Sequence, residues 1–153
     1  MNINAQAYRT IWLKADDPTT VQIIDQRHLP HRFIIEDLKS LEDAETAIRD
    51  MHVRGAPLIG SAAAYGMYLA ALHLRNDKGF DEKIAEAAAR LKATRPTAVN
   101  LAYAVDQCLF NLKKTASREA KIAAALQTAD DITEESVEHC RLIGQHGLKL
   151  IEQ

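Results

Sequence analysis

The chain has 153 residues, 47% of them hydrophobic and 26% charged, and its 19 basic against 21 acidic side chains leave a formal net charge of −2. That length and balance fit one globular domain with its own core, and they exclude a disordered chain and a general nucleic-acid or membrane-binding surface. A local anion site survives the exclusion, because it needs only one or two cations.

The first forty residues predict strands. "YRTIWLK" (8–14) and "TVQIID" (20–25) flank the turn cluster "ADDPTT", and "HRFIIED" (31–37) follows a second break at "RHLP". Such Ile-, Val- and aromatic-rich segments with short connections read as a small antiparallel sheet. After Ser40 the period becomes helical. Leu41, Ala44, Ile48 and Met51 share one face, Ser40 with Asp43 resembles a capping box, and the first helix is expected to end near Val53.

A second helix is expected over 57–75, a third over 80–93 burying Phe80, Ile84, Ala87 and Leu91, and a fourth from Pro96 with Leu101, Val105, Cys108 and Leu112 on one face. The last pattern runs from about Ser117 through Ile122, Leu126, Ala129, Val137 and Cys140 to the end, long enough to suggest a break near Gly144 and Gly147. The predicted class is therefore α+β, mainly α: a sheet over 8–37, then a bundle of about five helices over 40–153. The chain stops while "GLKLIEQ" still reads as helix, as a longer polypeptide would if cut there.

The stretch 55–74 carries no charged side chain, but it holds Pro57, Ser61, two tyrosines and His73, so a buried core helix explains it better than a membrane span. "MNINAQAYRT" lacks the basic start and apolar run of a signal peptide. Cys108 and Cys140 stand in no motif spacing, which fits a reducing, cytoplasmic setting.

Chemistry concentrates at "VRGAP". Pro57 suits the first position of a helix, so Arg54, Gly55 and Ala56 approach a helix N-terminus with free N–H groups and a partial positive charge. Gly55 allows close approach to the backbone, and the Arg54 guanidinium suits phosphate oxygens. "KATRPTAVN" (92–100) repeats the arrangement, with Arg95 before Pro96 and Thr94 as candidate N-cap. If the second and fourth helices pack in parallel, the two arginines can converge on one anion. Either arginine equally suits a surface position or a structural ion pair. The small residues of "IGSAAAYG" read as close helix packing.

Other candidates carry less. His139 and His146 are too far apart for an i,i+4 metal pair. Cys108 reads as an inert core thiol, and His28, His31 and His52 have no nameable partner. Asp25, Asp106 and Asp131 are not distinguished as acid or base. The chain has no phosphate-binding loop of the nucleotide-hydrolase type, no dinucleotide fingerprint and no zinc signature.

"MHVRGAPLIGSAAAYG" (51–66) closely resembles the signature of methylthioribose-1-phosphate isomerases, and "ATRPTAVNL" (93–101) differs at one residue from their "STRPTAVNL". "IDQRHLP" (24–30) and "CRLIGQHGLKLI" (140–151) resemble further stretches of that family, so the likeness runs along nearly the whole chain. It belongs to a superfamily with ribose-1,5-bisphosphate isomerases and the regulatory subunits of initiation factor 2B.

The resemblance implies an N-terminal helical domain with a small sheet, followed in the family by a Rossmann-like catalytic domain that this chain lacks. It implies a homodimer at full length and no metal or organic cofactor. The implied reaction converts 5-methylthioribose 1-phosphate to 5-methylthioribulose 1-phosphate in methionine salvage. Arg54, Gly55, Ala56 and Arg95 would contact the substrate. The family's catalytic cysteine, in a stretch like "THCNAG", and its catalytic aspartate belong to the second domain, so no catalytic residue is assigned here, and neither Cys108 nor Cys140 takes that place.

Overall fold

A computed structural model describes residues 2–3 and 6–152. Strands β1 (Asn2–Ile3) and β2 (Gln6–Ala7) pair antiparallel, a two-residue hairpin too short to leave a periodic signal. The expected sheet follows as an antiparallel meander of β3 (Ile11–Leu13), β4 (Val21–Ile24) and β5 (Ile35–Leu38), with β4 central. The alternation holds through Gln22, after which Ile23 and Ile24 are both fully buried. Ile11 opposite Ile23 and Val21 opposite Leu38 face the core, while Trp12 Nε1 donates to Gln22 Oε1 at 2.9 Å on the other face. The third strand begins at Ile35, four residues later than expected, because the chain first turns at 27–31.

Ser40 caps α1 (Leu41–Arg49) through the predicted capping box: Ser40 Oγ accepts the Asp43 N–H and Asp43 accepts the Ser40 N–H. The helix stops before Val53. Met51 takes a left-handed φ of 59°, and the His52 and Val53 N–H groups both return to the Ala47 carbonyl, closing the last turn. Met51 therefore leaves the apolar face and is 46% exposed.

Helix α2 (Ala56–His73) is the centre of the fold. It is apolar on all sides, as a helix surrounded by others must be, and α1, the sheet, α3 (Phe80–Thr94), α4 (Val99–Lys113) and α5 (Arg118–Ile151) gather round it. Its length and composition would let it cross a membrane, but 78% of the most apolar window is buried inside the chain. The predicted faces of α3 and α4 are buried as expected.

Two helix starts differ from expectation. Pro57 is the second helical residue of α2, after Gly55 as N-cap and Ala56. Pro96 does not start α4. Residues 95–98 form a turn closed by the Ala98 N–H on the Arg95 carbonyl at 2.9 Å, with Pro96 at the position where its fixed φ suits a β-turn. Thr94 closes α3, donating to the Leu91 carbonyl, and caps nothing.

Helix α5 runs unbroken for 34 residues, about 50 Å, through both glycines. Ser117 caps it. Its first half packs Ala125, Thr128, Ala129 and Thr133 inward, and Tyr65 of α2 donates to Asp130 Oδ1 at 2.7 Å. Beyond Thr133 the expected burial fails: Val137 and Cys140 are exposed, and so are Ile143 (71%) and Leu150 (75%). The stripe is present there, but no other described element covers it.

Candidate functional site

Three α-helices open with carboxylates in the first turn: Glu42 and Asp43 on α1, Asp81 and Glu82 on α3, Glu119 on α5. Helices α2 and α4 have no acidic first-turn residue and no side-chain cap. Their positive ends are left for something else to neutralise. These are the two starts that carry "RGAP" and "TRPTAVN".

The fold brings the two starts together. A Cβ on Gly60, in the second turn of α2, would lie 3.0 Å from the backbone oxygen of Asn100, in the first turn of α4. Only glycine allows this approach. Gly55 caps α2 at φ 91°, a left-handed value that glycine adopts without strain.

Arg54 lies between the two left-handed residues Met51 and Gly55. It is exposed, donates to the Met51 carbonyl over 3.4 Å, and pairs with no carboxylate among the described residues. With Gly55, Pro57 and Leu58 it lines a groove of about 200 Å³, completed by Thr10, Gln26 and Ser61 and by the exposed second half of α5. Ala56 is the first residue of α2 at this mouth. Arg95 is half-buried on the α3–α4 turn, free of ion pairs among the described residues, and does not line the groove with Arg54. A larger trough of about 440 Å³ adjoins it, between Pro57, Gly60, Asn100 and Tyr103 and the Ile132–Ile143 face of α5.

A polar cluster fixes the segment that carries Arg54. Asp25, 3% exposed at the end of β4, accepts the Arg27 backbone N–H together with its Nε and Nη2. Those bonds hold the Asp25 carboxyl down at about 2, against a reference value of 3.8. His28 Nε2 is 3.4 Å from the same carboxylate. His52 Nδ1 lies 2.8 Å from Glu36 Oε2, and the His52 carbonyl accepts the Gln26 N–H at 2.9 Å. The partner of His52 comes from the fold, while that of His28 lies three residues back in the sequence.

Asp25, Glu36 and His52 each offer a ligand atom within 4.8 Å of the others, a donor set suited to a divalent cation. The Arg27 guanidinium already supplies the positive charge at Asp25. Elsewhere, a cleft between α1, α2 and α3 contains Arg90, which pairs with Glu42 and Glu45, and Lys83, which pairs with Asp77. Cys108 is fully buried, and desolvation pushes its thiol up to about 12, which makes it unfit as a nucleophile.

The initiation factor 2 subunit family (IF-2B) matches residues 52–153. Methylthioribose-1-phosphate isomerase of Desulfatibacillum aliphaticivorans is 45% identical over 153 residues, and that of Paramagnetospirillum magneticum 48% over 151. These alignments take in 100% and 99% of this chain but 42% and 40% of the relatives, so the chain spans about two fifths of their length. Among solved structures, translation initiation factor eIF-2B, subunit delta, from A. fulgidus superposes with a TM-score of 0.86 at 34% identity, over 94% of this chain and 42% of that one. The 5-methylthioribose 1-phosphate isomerase of Pyrococcus horikoshii OT3 does so at 0.76 and 33%, over 85% and 37%. The chain belongs to the initiation factor 2 subunit family.

Proposed function

We propose that this chain forms the phosphate-binding part of a sugar-phosphate isomerase that converts 5-methylthioribose 1-phosphate to 5-methylthioribulose 1-phosphate, a step of methionine salvage. The observation that carries the proposal is the uncapped, acid-free start of α2, with the unpaired Arg54 beside it on one groove. A phosphate dianion supplies the charge that the helix end and the guanidinium both lack. The substrate contacts in this reading are Arg54, Gly55 and Ala56. Arg95 joins them from the α3–α4 turn when the ligand is long enough to reach it.

Moving hydrogen between C1 and C2 needs an acid–base pair within hydrogen-bond reach of both carbons. In this reading that pair comes from the part of the relatives' length that this chain does not span. The 153 residues alone then bind weakly and do not turn substrate over. No metal or organic cofactor enters the scheme. The intact enzyme is a homodimer, and the free thiols of Cys108 and Cys140 support a cytoplasmic setting.

A non-catalytic role like that of the initiation-factor subunit is favoured by one observation, the higher backbone likeness to the A. fulgidus protein. The unpaired Arg54 weighs against it, since a scaffold gains nothing from an unneutralised helix end. A ribose-1,5-bisphosphate isomerase would use the same phosphate contacts. NMR titration of the labelled chain with 5-methylthioribose 1-phosphate tests the proposal. Shifts centred on the groove residues around Arg54, and lost in Arg54→Ala, are expected. Saturable binding unaffected by Arg54→Ala refutes it.

A further inference from the structure

The Arg54 groove carries more polar groups than an anion needs. Gln26 and Ser61 line it, and neither side chain has a hydrogen-bond partner among the described residues. Ser61 is the more informative. It is 2% exposed, and a hydroxyl so buried in a helix ordinarily donates to the carbonyl four residues back. Thr128 and Thr133 do so on α5, at 2.7 Å and 2.8 Å. Ser61 does not, and the space that its side chain borders is the groove.

Gln26 is held from both sides. Its N–H is tied to the His52 carbonyl, two residues before Arg54, and its neighbours Asp25 and Arg27 are locked together. The backbone is fixed to the Arg54 turn while the carboxamide stays free. An amide and a hydroxyl each donate and accept, as every hydroxyl of a sugar does.

From this, and resting on the phosphate-binding reading above, we infer that Gln26 and Ser61 bind the sugar hydroxyls of the ligand whose phosphate Arg54 holds. The groove then selects polyol phosphates over phosphate itself. The β4 end and the second turn of α2 supply the selectivity, and the α2 N-terminus supplies the charge.

The test compares 5-methylthioribose 1-phosphate with inorganic phosphate by NMR titration of the unaltered chain and of Gln26→Met, Ser61→Ala and Arg54→Ala. Gln26→Met keeps the side-chain length, and Ser61→Ala adds one alanine to an alanine-rich helix, so both variants fold; their melting midpoints check this. Each is expected to weaken the sugar phosphate about three- to tenfold and to leave inorganic phosphate within about twofold. Arg54→Ala is expected to lose both ligands. If the Gln26 and Ser61 variants bind the sugar phosphate as the parent does while Arg54→Ala loses both, this inference is overturned and the phosphate site stands. Equal weakening of both ligands by Gln26→Met also overturns it. If Arg54→Ala keeps both ligands, or the unaltered chain binds neither, the underlying reading falls and takes this inference with it.

Discussion

Gly60→Ala isolates the contact that brings the two uncapped helix starts together. The new Cβ would stand 3.0 Å from the Asn100 oxygen, 3.4 Å from its carbonyl carbon and 3.5 Å from its Cβ. Carbon–oxygen contacts of this kind ordinarily settle at about 3.3–3.6 Å, so α4 must retreat by at least about 0.3 Å. A backbone oxygen inside a helix cannot rotate aside as a side chain can. Overpacking of this sort costs about 1–3 kcal/mol, against a helix-propensity gain of about 0.8–1.0 kcal/mol, for a net loss of about 0–2 kcal/mol. Gly144→Ala is the matched control. It lies in α5 with nothing within 4 Å of its Cβ, so only the propensity gain remains. The two variants should differ by about 1–3 kcal/mol, or about 2–12 °C in melting midpoint for a chain of this size. Urea and thermal unfolding followed by circular dichroism read the difference. Equal stabilisation by both alanines would refute the close approach of α2 and α4.

Three further outcomes are expected. Asp25→Asn removes a carboxylate held at about 2 by Arg27, so it lowers stability above pH 4. The stabilisation is complete above the unfolded value of 3.8 and disappears as pH falls through about 2, so urea midpoints of parent and variant converge in acid. The drop corresponds to about 2 kcal/mol, and the 40% exposure of Arg27 reduces this to about 1–2. At pH 8 a thiol reagent should modify one cysteine per native chain, the exposed Cys140, and two after unfolding, because the Cys108 thiol is buried and pushed up to about 12. Tyr65→Phe strips the 2.7 Å hydrogen bond to the Asp130 carboxylate from a residue 3% exposed and should cost about 1.5–3 kcal/mol in urea unfolding.

What was legible in the sequence follows from what is local. The Ser40–Asp43 box, the buried faces of α3 and α4 and the all-apolar α2 are encoded within one or two turns each, and the structure has all of them. Pro96 is ambiguous because proline serves two local purposes, opening a helix and entering a β-turn, and here the Ala98 N–H on the Arg95 carbonyl closes a turn. The second half of α5 differs for another reason. An apolar stripe tells which face gains from burial but not whether a partner is there. At the candidate site, the chemistry of Arg54 and Gly55 is contiguous with the helix start and is legible there. Gln26 and Ser61 are not, since they lie 35 residues apart and come to line one groove only in the folded chain. The His52–Gln26 backbone bond that enforces this has no signature in either segment.

The affinity of the groove can be bounded from its exposure. Arg54 is in solvent, where a unit charge pair at 4 Å is worth about 1 kcal/mol, so a phosphate dianion gains about 2. The end of α2 contributes about 0.3–1 kcal/mol, and hydrogen bonds from Gln26 and Ser61 about 0.5–1.5 each. The gross gain, about 3–6 kcal/mol, must also offset the loss of ligand freedom. The dissociation constant of this chain for 5-methylthioribose 1-phosphate is therefore expected at about 1 mM or weaker, since 1 mM already corresponds to about 4 kcal/mol net. Raising the salt from about 0.1 M to about 1 M shortens the screening length from about 10 Å to about 3 Å and should weaken binding severalfold, because most of the gain is charge at a wet surface. Micromolar binding that ignores salt would mean that the ligand sits in a dry, enclosed site, and the groove at Arg54 is neither.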